Sequence, residues 1–122
     1  MKSLINEILQ HEGPATIVTH QLGEPHVTAT WNSYITVNED GHFLIPVGGF
    51  NQTEKNINAG SNVIMLIGSK NVMGLQSLGA GLRLTGTATF ITAGTDFENT
   101  KKLFSWVRAV LIFSINEVEQ LQ

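Results

Sequence analysis

TATWNSYITVNEDGHFLIPVGGFNQTEKNI, residues Thr28 to Ile57, is the stretch whose reading decides the fold. Along Val27–Val37 one parity carries Val27, Ala29, Trp31, Ser33, Ile35 and Val37, and the other carries Thr28, Thr30, Asn32, Tyr34 and Thr36. A period of two predicts a strand with one apolar and one hydrogen-bonding face. Asn38-Glu39-Asp40-Gly41 is a turn cluster whose Asp-Gly pair supplies the positive-φ positions of a hairpin, and His42–Val47 returns as the second strand. Gly48-Gly49 then exposes backbone without side chains. A helix starting near Asn51 or Thr53 points free N–H groups at whatever lies beside it. Polar strand face, bare backbone and helix start together point to a phosphorylated ligand.

Working outward, Ser3 reads as an N-cap, with Leu4, Ile5, Ile8 and Leu9 on one face of a helix that runs to Gly13-Pro14. Ala15–His20 is a short strand, and Leu22-Gly23-Glu24-Pro25 turns it into the central pair. Asn58-Ala59-Gly60-Ser61 closes the second helix, and Asn62–Ser69 is an apolar run of buried-strand length. Lys70–Gly81 reads as a mobile, irregular connection; it lacks the Lys-Ser/Thr ending of a phosphate loop. Leu82–Thr92 alternates again. Gly94-Thr95-Asp96 caps a helix with Phe97, Thr100, Phe104 and Val107 at helical spacing, and Ala109–Asn116 is the final strand. The tail EVEQLQ either continues that strand or crosses to a partner. Strands this numerous with short helices imply a single small, mostly antiparallel barrel domain with helices closing its ends.

The chain has 122 residues and a formal net charge of −3, with no basic run, which argues against nucleic acid as a partner. It has no cysteine, so disulfides and thiolate chemistry are excluded, as a reducing compartment would favour. The N-terminal segment lacks the pattern of a signal peptide, and the longest apolar runs, Val63–Ile67 and Ala109–Phe113, are too short to span a membrane. The expectation is a cytoplasmic protein. His11, His20, His26 and His42 form no HxxxH or HxH pair, so no metal site is expected. Ser33, Ser61 and Ser114 lack a nucleophile-elbow context, and no catalytic residue is assigned. Chemistry, where present, falls to a bound cofactor.

TWNSY at Thr30–Tyr34, PVGG at Pro46–Gly49, TExN at Thr53–Asn56 and FxWxRA at Phe104–Ala109 occur together in this order and spacing. In these motifs the chain resembles the pyridoxamine-phosphate-oxidase-like FMN-binding split-barrel superfamily, its small FMN-binding members in particular, from the first helix almost to the C-terminus. The resemblance implies a six-stranded antiparallel split β-barrel of Greek-key type. It also implies a homodimer and one non-covalent FMN per subunit at the dimer interface. By the same resemblance Thr30, Trp31, Asn32, Ser33 and Tyr34 line the flavin, and Pro46, Val47, Gly48 and Gly49 lay backbone against the isoalloxazine. Gln52 and Thr53 stand at the phosphate, and Trp106 lies near the ring. The chain departs from the family at Gln52, where a basic residue is usual, at Ala29, where a polar one is, and at Gln122, where an apolar one is.

Three functions follow from this. The first is an FMN-dependent electron carrier or reductase-like protein with an unidentified redox partner. The second is an FMN-dependent oxidase of the pyridoxamine-phosphate-oxidase type. The third is a flavin-storage or interaction module with a weakened site, which Gln52 keeps open. For the homodimer, Trp106 and the apolar final strand are the expected cover over the exposed ring face.

Overall fold

The computed structural model describes all residues, Met1–Gln122, as three α-helices and one seven-stranded antiparallel sheet. In chain order these are α1 (Lys2–Leu9), β1 (Pro14–Gln21), β2 (Glu24–Trp31), a 3-10 turn (Asn32–Tyr34), β3 (Thr36–Val37), β4 (Phe43–Val47), α2 (Asn51–Asn58), β5 (Val63–Met73), β6 (Leu78–Ile91), α3 (Thr95–Leu103) and β7 (Ala109–Gln120). The spatial order is β2-β1-β5-β6-β7-β4-β3. Laid flat, seven strands would hold the two edges roughly 29 Å apart at the usual strand spacing. The chain passes from Trp31 on one edge to Thr36 on the other, a reach of at most about 18 Å. The sheet must therefore curl on itself, which gives the split barrel. The two-residue β3 accounts for a seventh strand where six were expected.

Register explains the two surfaces of the sheet. Inside, Ile17, Met65 and Leu84 form one row across β1, β5 and β6, all fully buried. Phe43 and Phe113 pair across β4 and β7 with ring centroids 5.9 Å apart in an edge-on contact. α1 lays Ile5 and Ile8 on this core. A smaller cluster of Leu44, Phe97, Val107 and Val110 lies under α3. Pro46 has no N–H to donate, and it sits where β4 has outrun β3, paired only on its Val110 side. No helix is long and apolar enough to cross a membrane.

Several expected elements differ. The predicted strand Val27–Val37 breaks at Asn32–Tyr34: the Asn32 N–H to Gly13 O bond, 2.8 Å, is the last rung of the β1–β2 ladder. Beyond it Ile35 N turns back to Asn32 O at 3.2 Å, while Asn32 and Ser33 side-chain bonds tie the turn to His11 and Glu12. Its first half pairs with β1, so the predicted hairpin survives only as Thr36–Val37 against Phe43–Leu44. The turn of that hairpin stands where expected, but Gly41 alone takes a positive φ, 80°, and Asp40 does not; Asn38 Oδ1 accepts from Asp40 N and His42 N at 3.0 Å each. Lys70–Gly81 is no irregular loop. β5 runs to Met73, β6 starts at Leu78, and Gly68 faces Gly81 in register, where a side chain on Gly68 would press on Ala80 O. The glycines allow close backbone approach within a hairpin. α1 begins at Lys2 without a side-chain cap and ends at Leu9, short of Gly13. α3 ends at Leu103, so Phe104 and Val107 lie beyond it. The tail continues β7 to Gln120.

Candidate functional site

The helix α2 sets the site. It follows β4 through Gly48-Gly49, and its N-cap residue Phe50 has φ 61° and ψ 34°, the left-handed region, with no side chain capping the first turn. A non-glycine residue held there is strained, and such strain concentrates at functional positions. A left-handed residue followed by helical ones also turns successive N–H groups to one side, the arrangement that cups anions. Thr53, in that first turn, is 0% exposed, and its hydroxyl has no hydrogen-bond partner. Gly60, φ 103°, ends the helix, with Ser61 N donating to Asn56 O at 3.0 Å.

Arg108, just before β7, pins this corner. Its Nε donates to Gly48 O at 3.1 Å, and one Nη donates to Gly49 O at 2.6 Å and to Glu54 Oε1 at 2.7 Å. Sequence reasoning placed this arginine only inside FxWxRA; its partners lie more than fifty residues away, so spacing gave no signal. Trp106 lies against Gly48, where an added Cβ would sit 3.3 Å from the indole. Around it Tyr34 and Phe104 complete a triad, with centroids 5.9 Å and 5.7 Å from Trp106. Trp106 remains 50% exposed, and nothing lies within 4 Å of a Cβ built on Gly49.

A polar chain ties α2 to the β1–β2 hairpin. Gln52 Nε2 donates to Asn56 Oδ1 at 2.9 Å and to Gln21 Oε1 at 3.0 Å, and Asn56 Nδ2 donates to the buried Thr19 Oγ1 at 3.0 Å. Both amide hydrogens of Gln52 are thus engaged inside the chain. A cleft of about 450 Å³ opens beside them, lined by Gln21, Glu24, His26, Gln52 and Asn56 among others.

Tyr34, Gly48, Gly49 and Trp106 therefore come together, and Gln52 and Thr53 stand on the helix that leads from them. Pro46 and Val47 are buried in β4 and offer backbone only. Thr30 faces inward and is nearly buried, while Trp31 points outward from β2 at 48% exposure. Asn32 is 0% exposed and gives its amide to His11 O at 2.9 Å and Gly68 O at 3.3 Å. Ser33 donates Oγ to Glu12 Oε2 at 2.5 Å and N–H to Oε1 at 3.2 Å. These two bonds, the hydroxyl first, hold the Glu12 carboxyl below its ordinary 4.5 against the opposing effect of desolvation, with the Gly13 N–H contributing least. Asn32 and Ser33 thus fasten the 3-10 turn to the end of α1, a contact that spacing could not reveal. No three His, Asp or Glu side chains converge as a metal site would require.

Residues 1–121 match the family model of pyridoxamine 5'-phosphate oxidase. The chain is 38% identical over 114 residues to the FMN-binding protein of Nitratidesulfovibrio vulgaris, covering 93% of each chain. Among solved structures, HupZ of Group A Streptococcus superposes with TM-score 0.76 at 24% identity, over 100% of this chain and 91% of that one. A putative pyridoxamine 5'-phosphate oxidase of Lactobacillus delbrueckii superposes with TM-score 0.74 at 16% identity, over 98% and 92% respectively. At these identities the two structures attest the split-barrel fold.

Proposed function

The chain belongs to the pyridoxamine 5'-phosphate oxidase family, and from that premise we propose that it binds FMN non-covalently and serves as a small redox protein that passes electrons. One observation carries the reading: a fully buried, partnerless Thr53 hydroxyl in the first turn of an uncapped helix. A buried hydroxyl without a partner costs roughly 1–3 kcal/mol, which a phosphate oxygen accepting from it would offset. The residues present fit a phosphate monoester, since the turn also offers free N–H groups and a left-handed Phe50.

FMN held there supplies reversible electron transfer. The chain's own part is to bind and place it. The first turn of α2 holds the phosphate, and Arg108 fixes the Gly48-Gly49 carbonyls so that bare backbone faces the ring. Tyr34, Phe104 and Trp106 form an aromatic wall beside it. The half-exposed Trp106 leaves this wall open at the surface, which suits electron exchange with another protein better than enclosure of a small substrate. Arg108 and Glu54 are spent on each other and on the loop, so they serve as clamps and not as proton carriers.

The proposal includes a homodimer, with the flavin at its interface. Its surface differs from the one expected: Ala109, Val110, Leu111 and Phe113 of the final strand are fully buried within the chain and cannot cover a ring. The apolar parity of β2 faces outward instead. Val27, Val18 and Ile64 form one row across β2, β1 and β5, and Ala29, Thr16 and Leu66 form the next. Val27, Trp31 and Leu66 on this face are 62%, 48% and 40% exposed. A contiguous apolar face of this kind marks an association surface.

The test is purification and heating. The protein should emerge yellow, and heat should release FMN and not FAD or riboflavin. A colourless protein that takes up no added FMN contradicts the proposal.

A further inference from the structure

Gln52 leaves the phosphate without a fixed cation from α2, and the structure places a different group at the same cleft. β2 alternates, so His26, Thr28 and Thr30 share its inward row. His26 stands directly across from Thr19 in the β1–β2 register. Opposed residues on one face of an antiparallel pair have Cβ atoms about 5 Å apart. Thr19 accepts from Asn56, and Asn56 accepts from Gln52, so His26 stands opposite the end of the polar chain that reaches the start of α2. His26, Gln52 and Asn56 line one cleft, open to solvent.

The other charged groups around His26 do not replace it. On the hairpin, Glu24 lines the same cleft and, as a carboxylate, opposes an anion there. On α2, Glu54 is held by Arg108, whose guanidinium is committed to Gly48, Gly49 and Glu54, and Lys55 is exposed in the last turn. On β1, Thr19 and Gln21 are uncharged, and His20 takes the opposite parity. Arg83 on β6 is paired with Glu119.

We propose that His26 supplies the positive charge at the flavin phosphate that Gln52 lacks, so that FMN binding takes up a proton on this imidazole. The inference rests on the reading that the phosphate lies at the first turn of α2. Histidine changes charge between about pH 5 and 8. A cationic imidazole donates a charge-assisted bond to phosphate, and a neutral one gives a weaker bond or none. Flavin would therefore be held tightly in mildly acidic conditions and loosely in alkaline ones.

The experiment is titration of FMN and of riboflavin, followed by flavin fluorescence, from about pH 5.5 to about pH 8.5. Wild type, His26→Asn and His26→Lys are compared, and FMN is also titrated by calorimetry in two buffers of different ionisation heat. In wild type the FMN dissociation constant should rise roughly five-fold across this range, with proton uptake near neutrality. His26→Asn should bind weakly throughout, without that uptake. His26→Lys, with a fixed charge, should bind tightly throughout. Riboflavin should respond to none of these changes. The phosphate's own second ionisation, near pH 6, acts alike in all three proteins, so the contrast between them carries the result. If His26→Asn keeps the wild-type profile and proton uptake, or His26→Lys binds as weakly as His26→Asn, the inference is overturned while FMN binding stands. Wild type that binds no FMN at any pH overturns both.

Discussion

Thr53 and Ser33 show how single side chains divide between ligand and scaffold. Thr53 holds a buried hydroxyl with nothing to bond, so Thr53→Val removes an unpaired polar group without changing shape. The flavin-free protein should become as stable or more stable to urea, by up to about 1 kcal/mol, while FMN affinity falls roughly five-fold. A loss of stability with unchanged affinity would show that the hydroxyl serves the fold instead. Ser33 is bound into the chain, and the sign of its effect follows from Glu12. A carboxyl whose ionisation is lowered on folding stabilises the protein above its unfolded value, and that contribution is lost as pH falls through the folded value. Ser33→Ala should move the Glu12 carboxyl back up toward 4.5 and bring the acid-induced loosening of the 3-10 turn to higher pH, as a carbon-13 NMR titration would record. The Gly48-Gly49 break and the helix start near Asn51 were legible from the sequence because both are features of local backbone. Arg108 and Glu12 were not, because each finds its partners only after the barrel closes.

At the scale of elements, alternation in Val27–Val37 was real but carried one misreading. It ran through a 3-10 turn that the Ile35 N–H to Asn32 O bond closes and that Asn32 and Ser33 fasten to His11 and Glu12. It also left open which row meets the core: Val27, Ala29 and Trp31 face outward from β2, while Ile35, beyond the turn, is buried in the core. Periodicity reports that two faces differ and not which is covered. The Gly-rich Lys70–Gly81 hid a hairpin for a related reason, since glycine within strands marks close packing as readily as a loop. The same distinction separates two glycines experimentally. A Cβ on Gly86 would collide with the backbone of Ser114 at the β6–β7 bulge. Gly86→Ala should cost about 1–3 kcal/mol of stability in urea unfolding. Gly49→Ala meets nothing in the chain and should leave stability within about 0.5 kcal/mol, yet weaken FMN binding where the methyl meets the ring. Unchanged FMN affinity in Gly49→Ala would remove the ring from Gly49.

For the whole molecule, a small antiparallel barrel was legible from the number of alternating segments and from the shared motifs, whereas the strand order, with edges joined by so short a segment, emerges only in the structure. The face proposed for association was not legible either, since that depends on which side of β2 the core occupies. Charging the outward face with Val27→Lys and Leu66→Lys should convert a dimer to a folded monomer in sedimentation velocity at micromolar concentration, with circular dichroism unchanged. A wild-type monomer with flavin bound would contradict the dimer. The central claim is that this chain holds FMN by its phosphate at the start of α2, and calorimetric titration with FMN and riboflavin side by side tests it most directly. The account predicts that FMN binds at least about ten-fold tighter, the equivalent of roughly 1.4 kcal/mol from phosphate contacts. Equal affinities for the two flavins, or binding of neither, would contradict it.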